Sequence, residues 1–96
     1  MLSSDNSEEF YSRFHEQLLT SQVWPGKYMF KFIVRAGGIS PEELKHLFIK
    51  TDAQFSEKQS TKNTYTSLSV LVTMDNPDAV IALYKQAQAF KGVITL

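Results

Sequence analysis

Phe10, Phe14 and Leu18 recur every four residues, with Tyr11 and Leu19 beside them. That spacing lines one face of a helix, expected over residues 7–22. A small polar stretch at 1–6 precedes it and is expected to be a disordered tail. Asn6, followed three residues on by Glu9, fits a capping box at the helix start. Trp24-Pro25-Gly26 is a breaker that ends the helix.

From residue 27 to 36 the period changes to two. Tyr28, Phe30, Phe32 and Val34 share one face, and Lys27, Met29, Lys31, Ile33 and Arg35 the other. Such alternation with aromatic enrichment is a strand with one buried side. Gly37-Gly38 ends it. Ser40-Pro41-Glu42-Glu43 then opens a short helix, with Ser40 as cap, Pro41 in the first turn and Glu43 closing a capping box. Its stripe is Leu44, Leu47 and Phe48, and it ends near Lys50. Residues 53–60 read as a weaker strand with Ala53 and Phe55 inward. Thr61-Lys62-Asn63-Thr64 reads as a hairpin turn. Residues 65–74 form a third strand, with Leu68, Val70, Val72 and Met74 on the buried side. Asn76 caps a last helix with Pro77 at its first position. Its apolar stripe runs from Ala79 to Phe90. Gly92 stops it, and residues 93–96 make a short final strand.

The order is a helix followed by β-α-β-β-α-β. The fold class expected is α+β: a ferredoxin-like βαββαβ sandwich at 23–96, with a four-stranded antiparallel sheet and two helices on one face, plus the extra N-terminal helix. Right-handed crossovers put the first and third strands at the centre. The extra helix is expected at the sheet edge or on the open face of the sheet.

Composition narrows the function. With 96 residues the chain fits one domain. It has no cysteine, so disulfides and thiol catalysis are out. No apolar run reaches the roughly 20 residues of a membrane span. The N-terminus lacks a signal-peptide pattern, which makes a cytoplasmic location the expectation. Ten Lys+Arg balance ten Asp+Glu, which argues against a dedicated nucleic-acid binder. The balance hides an asymmetry. Residues 1–26 hold Asp5, Glu8, Glu9 and Glu16 against Arg13, whereas 27–35 hold Lys27, Lys31 and Arg35 with no carboxylate.

From about Val23 to Leu96 the chain resembles the YbeD-like family of small bacterial proteins of unknown function, which have an ACT-like ferredoxin fold. The resemblance rests on Trp24-Pro25 before the first strand and on the polar hairpin and strand from Ser60 to Val70. Its third part is the helix with Val80-x-x-Leu83-Tyr84 followed by a short apolar strand. It implies a fold and no established activity. By analogy with ACT domains it suggests a regulatory or ligand-sensing module.

Two surfaces carry candidate chemistry. Gly37, Gly38 and Ser40 lie between a strand and a helix start, where free N–H groups favour anions. The resemblance to ACT-like domains implies a small metabolite there; a simple tight turn with a cap accounts for the same residues. Met29, Lys31, Ile33, Tyr65, Ser67, Ser69 and Leu71 line the sheet face away from the two helices. This mixed polar and apolar surface suits an unknown protein partner, a second copy, or the chain's own first helix. RNA-binding modules of this topology stack several aromatics there. Lys62-Asn63-Thr64-Tyr65 keeps one lysine and one aromatic but lacks the glycines, so nucleic acid is not expected.

Glu42 and His46 stand four apart, yet without a third ligand they do not make a metal site. Arg35 and Asn63 match the residue types of acylphosphatases, without the phosphate cradle. No cofactor is called for, and no catalytic constellation appears. The expected function is a non-enzymatic regulatory or adaptor module working by protein contact. The alternative is a metabolite sensor at the Gly37-Gly38 loop. Catalytic or RNA-binding use of the fold is the third and least favoured reading.

Overall fold

A computed structural model describes residues 3–90 and 92–95, with side chains from Glu8 onward. The elements are α1 (Ser3–Ser21), β1 (Gly26–Arg35), α2 (Pro41–Lys45) with a 3-10 turn at His46–Phe48, β2 (Gln54–Gln59), β3 (Tyr65–Met74), α3 (Pro77–Gln88) and β4 (Val93–Thr95). The four strands form one antiparallel sheet in the order β2-β3-β1-β4. The first and third strands are central, as expected. Their ladder is unbroken from Gly26↔Met74 to Arg35↔Tyr65.

Alternation decides which side of the sheet is buried. Phe30, Phe32, Val34, Leu68, Val70, Val72 and Met74 all point to one side and are buried with Leu44, Phe48, Val80, Tyr84 and Ala87 from the helices. The Phe30 ring touches both Phe48 and Tyr84, so α2 with its 3-10 turn and α3 share that side. Asn76 accepts the Ala79 N–H at 2.9 Å, with Pro77 in the first turn, as its sequence indicates.

Helix α1 differs from its expectation in two respects. Residues 1 and 2 of the expected tail lie outside the described residues, and the helix already runs from Ser3. Asn6 therefore lies within it rather than capping it, since residues 3–6 contain no helix breaker. The helix also packs on neither the open sheet face nor the strand edge alone; it joins the helical layer against α3. Leu18 is buried in the core, Phe14 meets the Tyr84 ring, and Tyr11 donates to Gln88 at 2.9 Å. His15 Nε2 lies 3.2 Å from Asp78 at the start of α3. The amphipathic stripe is the same in either placement; contacts with α3, the Tyr84 ring among them, decide it.

The link from α1 to β1 is closely tied. Trp24 Nε1 donates to the Leu18 carbonyl at 2.8 Å, and Ser21 Oγ donates to the same oxygen at 2.9 Å. Carbonyls at a helix C-terminus otherwise lack partners. The Trp24-Pro25 peptide is cis. A Cβ on Gly26 would sit 2.6 Å from the Val23 carbonyl oxygen, so the residue must be glycine for this close approach.

The second helix is shorter than expected: it tightens to 3-10 geometry at His46 and ends before Lys50, which adopts φ 65. On the far edge, Lys45 bridges from α2 to Glu57 of β2, and Phe55 rests against Phe48. The hydrogen bond to Glu57 is the main cause that raises the Lys45 ammonium above its ordinary value.

Candidate functional site

With α1 in the helical layer, no described element covers the opposite face of the sheet. The odd-numbered residues of β1 and β3 and the even-numbered residues of β2 project there, joined by Ile94 of β4. All seven residues expected at an interaction surface (Met29, Lys31, Ile33, Tyr65, Ser67, Ser69 and Leu71) are on this face. The register sets them in rows. Lys58, Ser67, Ile33 and Ile94 stand side by side across all four strands; Ser56, Ser69 and Lys31 form the next row, and Gln54, Leu71 and Met29 the one after.

Three of its apolar members are exposed. Ile94 is 48% exposed, Met29 45% and Tyr65 37%. Ile33, Tyr65 and Ile94, with Lys58, Ser60 and Ser67, line a groove of about 380 Å³ at the end of the sheet where β1 finishes and β3 begins. Its floor is apolar, its rim polar. The Ser60 hydroxyl accepts the Thr64 and Tyr65 N–H groups at 3.1 Å each, which fixes the hairpin and holds Tyr65 at the groove. Asn63 takes φ 54 in that turn, a conformation asparagine tolerates.

Charge on the strands of this face is positive, with the Asp52 carboxylate reaching it at one corner. Lys27, Lys31 and Arg35 on β1 and Lys58 on β2 project from it. Glu57, the carboxylate of β2, points to the other side and is held by Lys45. Asp52 is the acidic group nearest the face, at the corner beside Lys27. It accepts the Thr73 N–H at 2.9 Å and the Thr73 hydroxyl at 2.6 Å. These hydrogen bonds, the hydroxyl's first, hold its carboxyl below the usual aspartate value. The Arg35 guanidinium lies 6.0 Å from the centre of the Tyr65 ring.

The Gly37, Gly38 and Ser40 turn lies away from the groove floor. Gly37 takes φ +88, which explains the glycine. The Gly38 N–H donates to the Arg35 carbonyl at 3.0 Å, and the Ser40 N–H to Glu43 Oε2 at 3.4 Å. Two of the N–H groups that could face an anion are thus occupied. His46 is exposed, and Glu42 pairs with Lys45 rather than with it. Among the described residues, no three His, Asp or Glu side chains gather as a metal site would require. No helix among them is long and apolar enough to cross a membrane.

Reading the sequence missed Lys58, Ser60 and Ile94 as members of this face. The strand register brings in Lys58 and Ile94, and the hairpin hydrogen bonds bring in Ser60. Within β2 a single apolar residue, Phe55, marks the inward side, and β4 is too short for alternation to orient it.

The architecture defines a small α+β module with one buried and one uncovered sheet face. The chain belongs to the family described as a protein of unknown function (DUF493), which it matches over residues 20–96. The YbeD-like resemblance agrees with this assignment. UPF0250 proteins of Haemophilus influenzae strains PittEE and PittGG are each 33% identical over 73 residues, covering 73% of this chain and 79% of theirs. No solved structure matches the chain. Most of α1 precedes the family match, whereas every strand lies within it.

Proposed function

We propose that this chain is a non-catalytic regulatory or adaptor module of the cytoplasm that works by protein contact, with the uncovered sheet face as its contact surface. The observation that carries this reading is one continuous sheet face on which Met29, Tyr65 and Ile94 are exposed and Ile33 and Leu71 half-buried. Contiguous apolar surface rimmed by polar groups marks interaction sites in soluble domains. The ferredoxin-like, ACT-like assignment is part of the same proposal. It is supported by central first and third strands, edge strands β2 and β4, and α2 and α3 on one side. A metabolite site at Gly37, Gly38 and Ser40 is less well supported, because the Gly38 and Ser40 N–H groups are taken up within the turn and helix start.

The test is site-specific photo-crosslinking in cells. A crosslinking residue at Ile33 should give a discrete protein adduct, and one at Gln86 on α3 should give none. Adducts from Gln86 alone would move the contact surface to the helices and overturn the proposal.

A further inference from the structure

The uncovered face has a sign as well as a shape, and the sign limits what can dock. Lys27, Lys31, Arg35 and Lys58 project from its strands; the carboxylate that reaches the face, Asp52, is held by Thr73 at the Lys27 corner, and Glu57 of β2 points to the other side. Lys31, Arg35 and Lys58 make no ion pair among the described residues. Between them stand aliphatic side chains, with the apolar groove of Ile33 and Ile94 next to Lys58. A second copy docked face to face by a twofold axis would set these cations against their own counterparts. Like charges brought together in a desolvated contact oppose association strongly. A nucleic acid would satisfy the charge, but single strands bind on stacked aromatic platforms. This face offers one ring, Tyr65, already beside Arg35, and its other apolar side chains carry none.

From this we infer that the occupant of the sheet face is an acidic amphipathic segment of a different protein, its apolar side chains seated over Ile33, Leu71 and Ile94 and its carboxylates on Lys31 and Lys58. The inference rests on the face being the contact surface and adds the chemistry of what binds there. It accounts for a chain of zero net charge that sets Lys27, Lys31 and Arg35 on β1 with no carboxylate in that strand and sends the β2 carboxylate to the opposite side.

Fluorescence anisotropy on the full chain tests it with three labelled probes: a short peptide alternating Glu and Leu, the same peptide with Lys for Glu, and an oligouridylate. The Glu peptide is expected to bind, and the Lys peptide to bind at least tenfold more weakly. Binding should weaken as salt rises from about 0.1 M to 1 M, where the screening length falls from roughly 10 to 3 Å. The double variant Lys31→Glu, Lys58→Glu should lose at least tenfold for the Glu peptide and reverse the preference. It changes exposed side chains only, and an unchanged unfolding midpoint will verify that it folds.

Equal binding of both peptides, still lost in Ile33→Lys, would overturn the charge inference and keep the contact surface. Binding of the Glu peptide indifferent to both variants would overturn the contact surface as well. Preference for the oligouridylate would make the face a nucleic-acid platform. Absence of Glu-peptide binding up to about 1 mM would also overturn the inference.

Discussion

Leu18 and Leu19 are adjacent leucines on one helix with opposite surroundings, and this pair tests whether α1 is fixed in the helical layer. Leu18 is 4% exposed and belongs to the core; Leu19 is 51% exposed. Truncating a buried leucine to alanine removes its transfer free energy and leaves a cavity, for a total of about 2–5 kcal/mol. Leu18 lies at the margin of the core, where neighbours can partly collapse, so the lower part of that range, about 2–3 kcal/mol, is expected for Leu18→Ala. In a domain this size each kcal/mol moves the melting temperature by about 4–8 °C, so the loss should be roughly 8–24 °C. Leu19→Ala should stay within about 0.5 kcal/mol, or a few degrees. Thermal and urea unfolding by circular dichroism measure both. Equal effects would mean that α1 is not docked where Leu18 is buried. The sheet face could then be its resting place, and the reasoning for an uncovered face would fail.

Three further outcomes follow from the same packing. Phe32 and Ile33 are neighbours in β1 on opposite faces. Phe32→Ala should cost about 3–5 kcal/mol in urea unfolding, whereas Ile33→Lys should cost less than about 1 kcal/mol, because the lysine stem can lie along the face with its ammonium in water. Gly37→Ala meets no neighbour but must hold φ +88, so a loss of about 1–2 kcal/mol is expected from backbone strain alone; an unchanged midpoint would contradict it. The Asp52 carboxylate has its value lowered by Thr73. Its contribution is therefore full above the ordinary value of 3.8 and lost as pH falls through the lower folded value. Wild type should exceed Asp52→Ala in stability near neutrality, and urea midpoints should converge below pH 3.8; a gap that widens on acidification would contradict this.

The elements with strong local signals were legible from the chain. β1 and β3 alternate cleanly, and their faces follow from Phe30, Phe32, Leu68 and Val70. Asn76-Pro77 and Ser40-Pro41 mark helix starts by their own chemistry. The seven residues expected on the open face could be named because period two requires it. What was not legible depends on tertiary placement. The stripe of α1 fits any apolar surface, and its contacts with Tyr84, Gln88 and Asp78 choose the helical layer. Lys58 and Ile94 join the face through register with Ser67 and Ile33, and their own short, weakly patterned strands do not announce it. The Gly37-Gly38 turn looked open to ligands because the sequence does not show that the Gly38 N–H turns back to Arg35.

The uncovered sheet face as the docking surface is tested most directly by methyl NMR of the isotope-labelled chain, titrated with the Glu-Leu peptide. Ile33 and Ile94 report the face; Ile49, which is exposed elsewhere, is the control. Saturable shifts of the Ile33 and Ile94 methyls with Ile49 unmoved are expected. Shifts at Ile49 with Ile33 and Ile94 silent would contradict the assignment of this face.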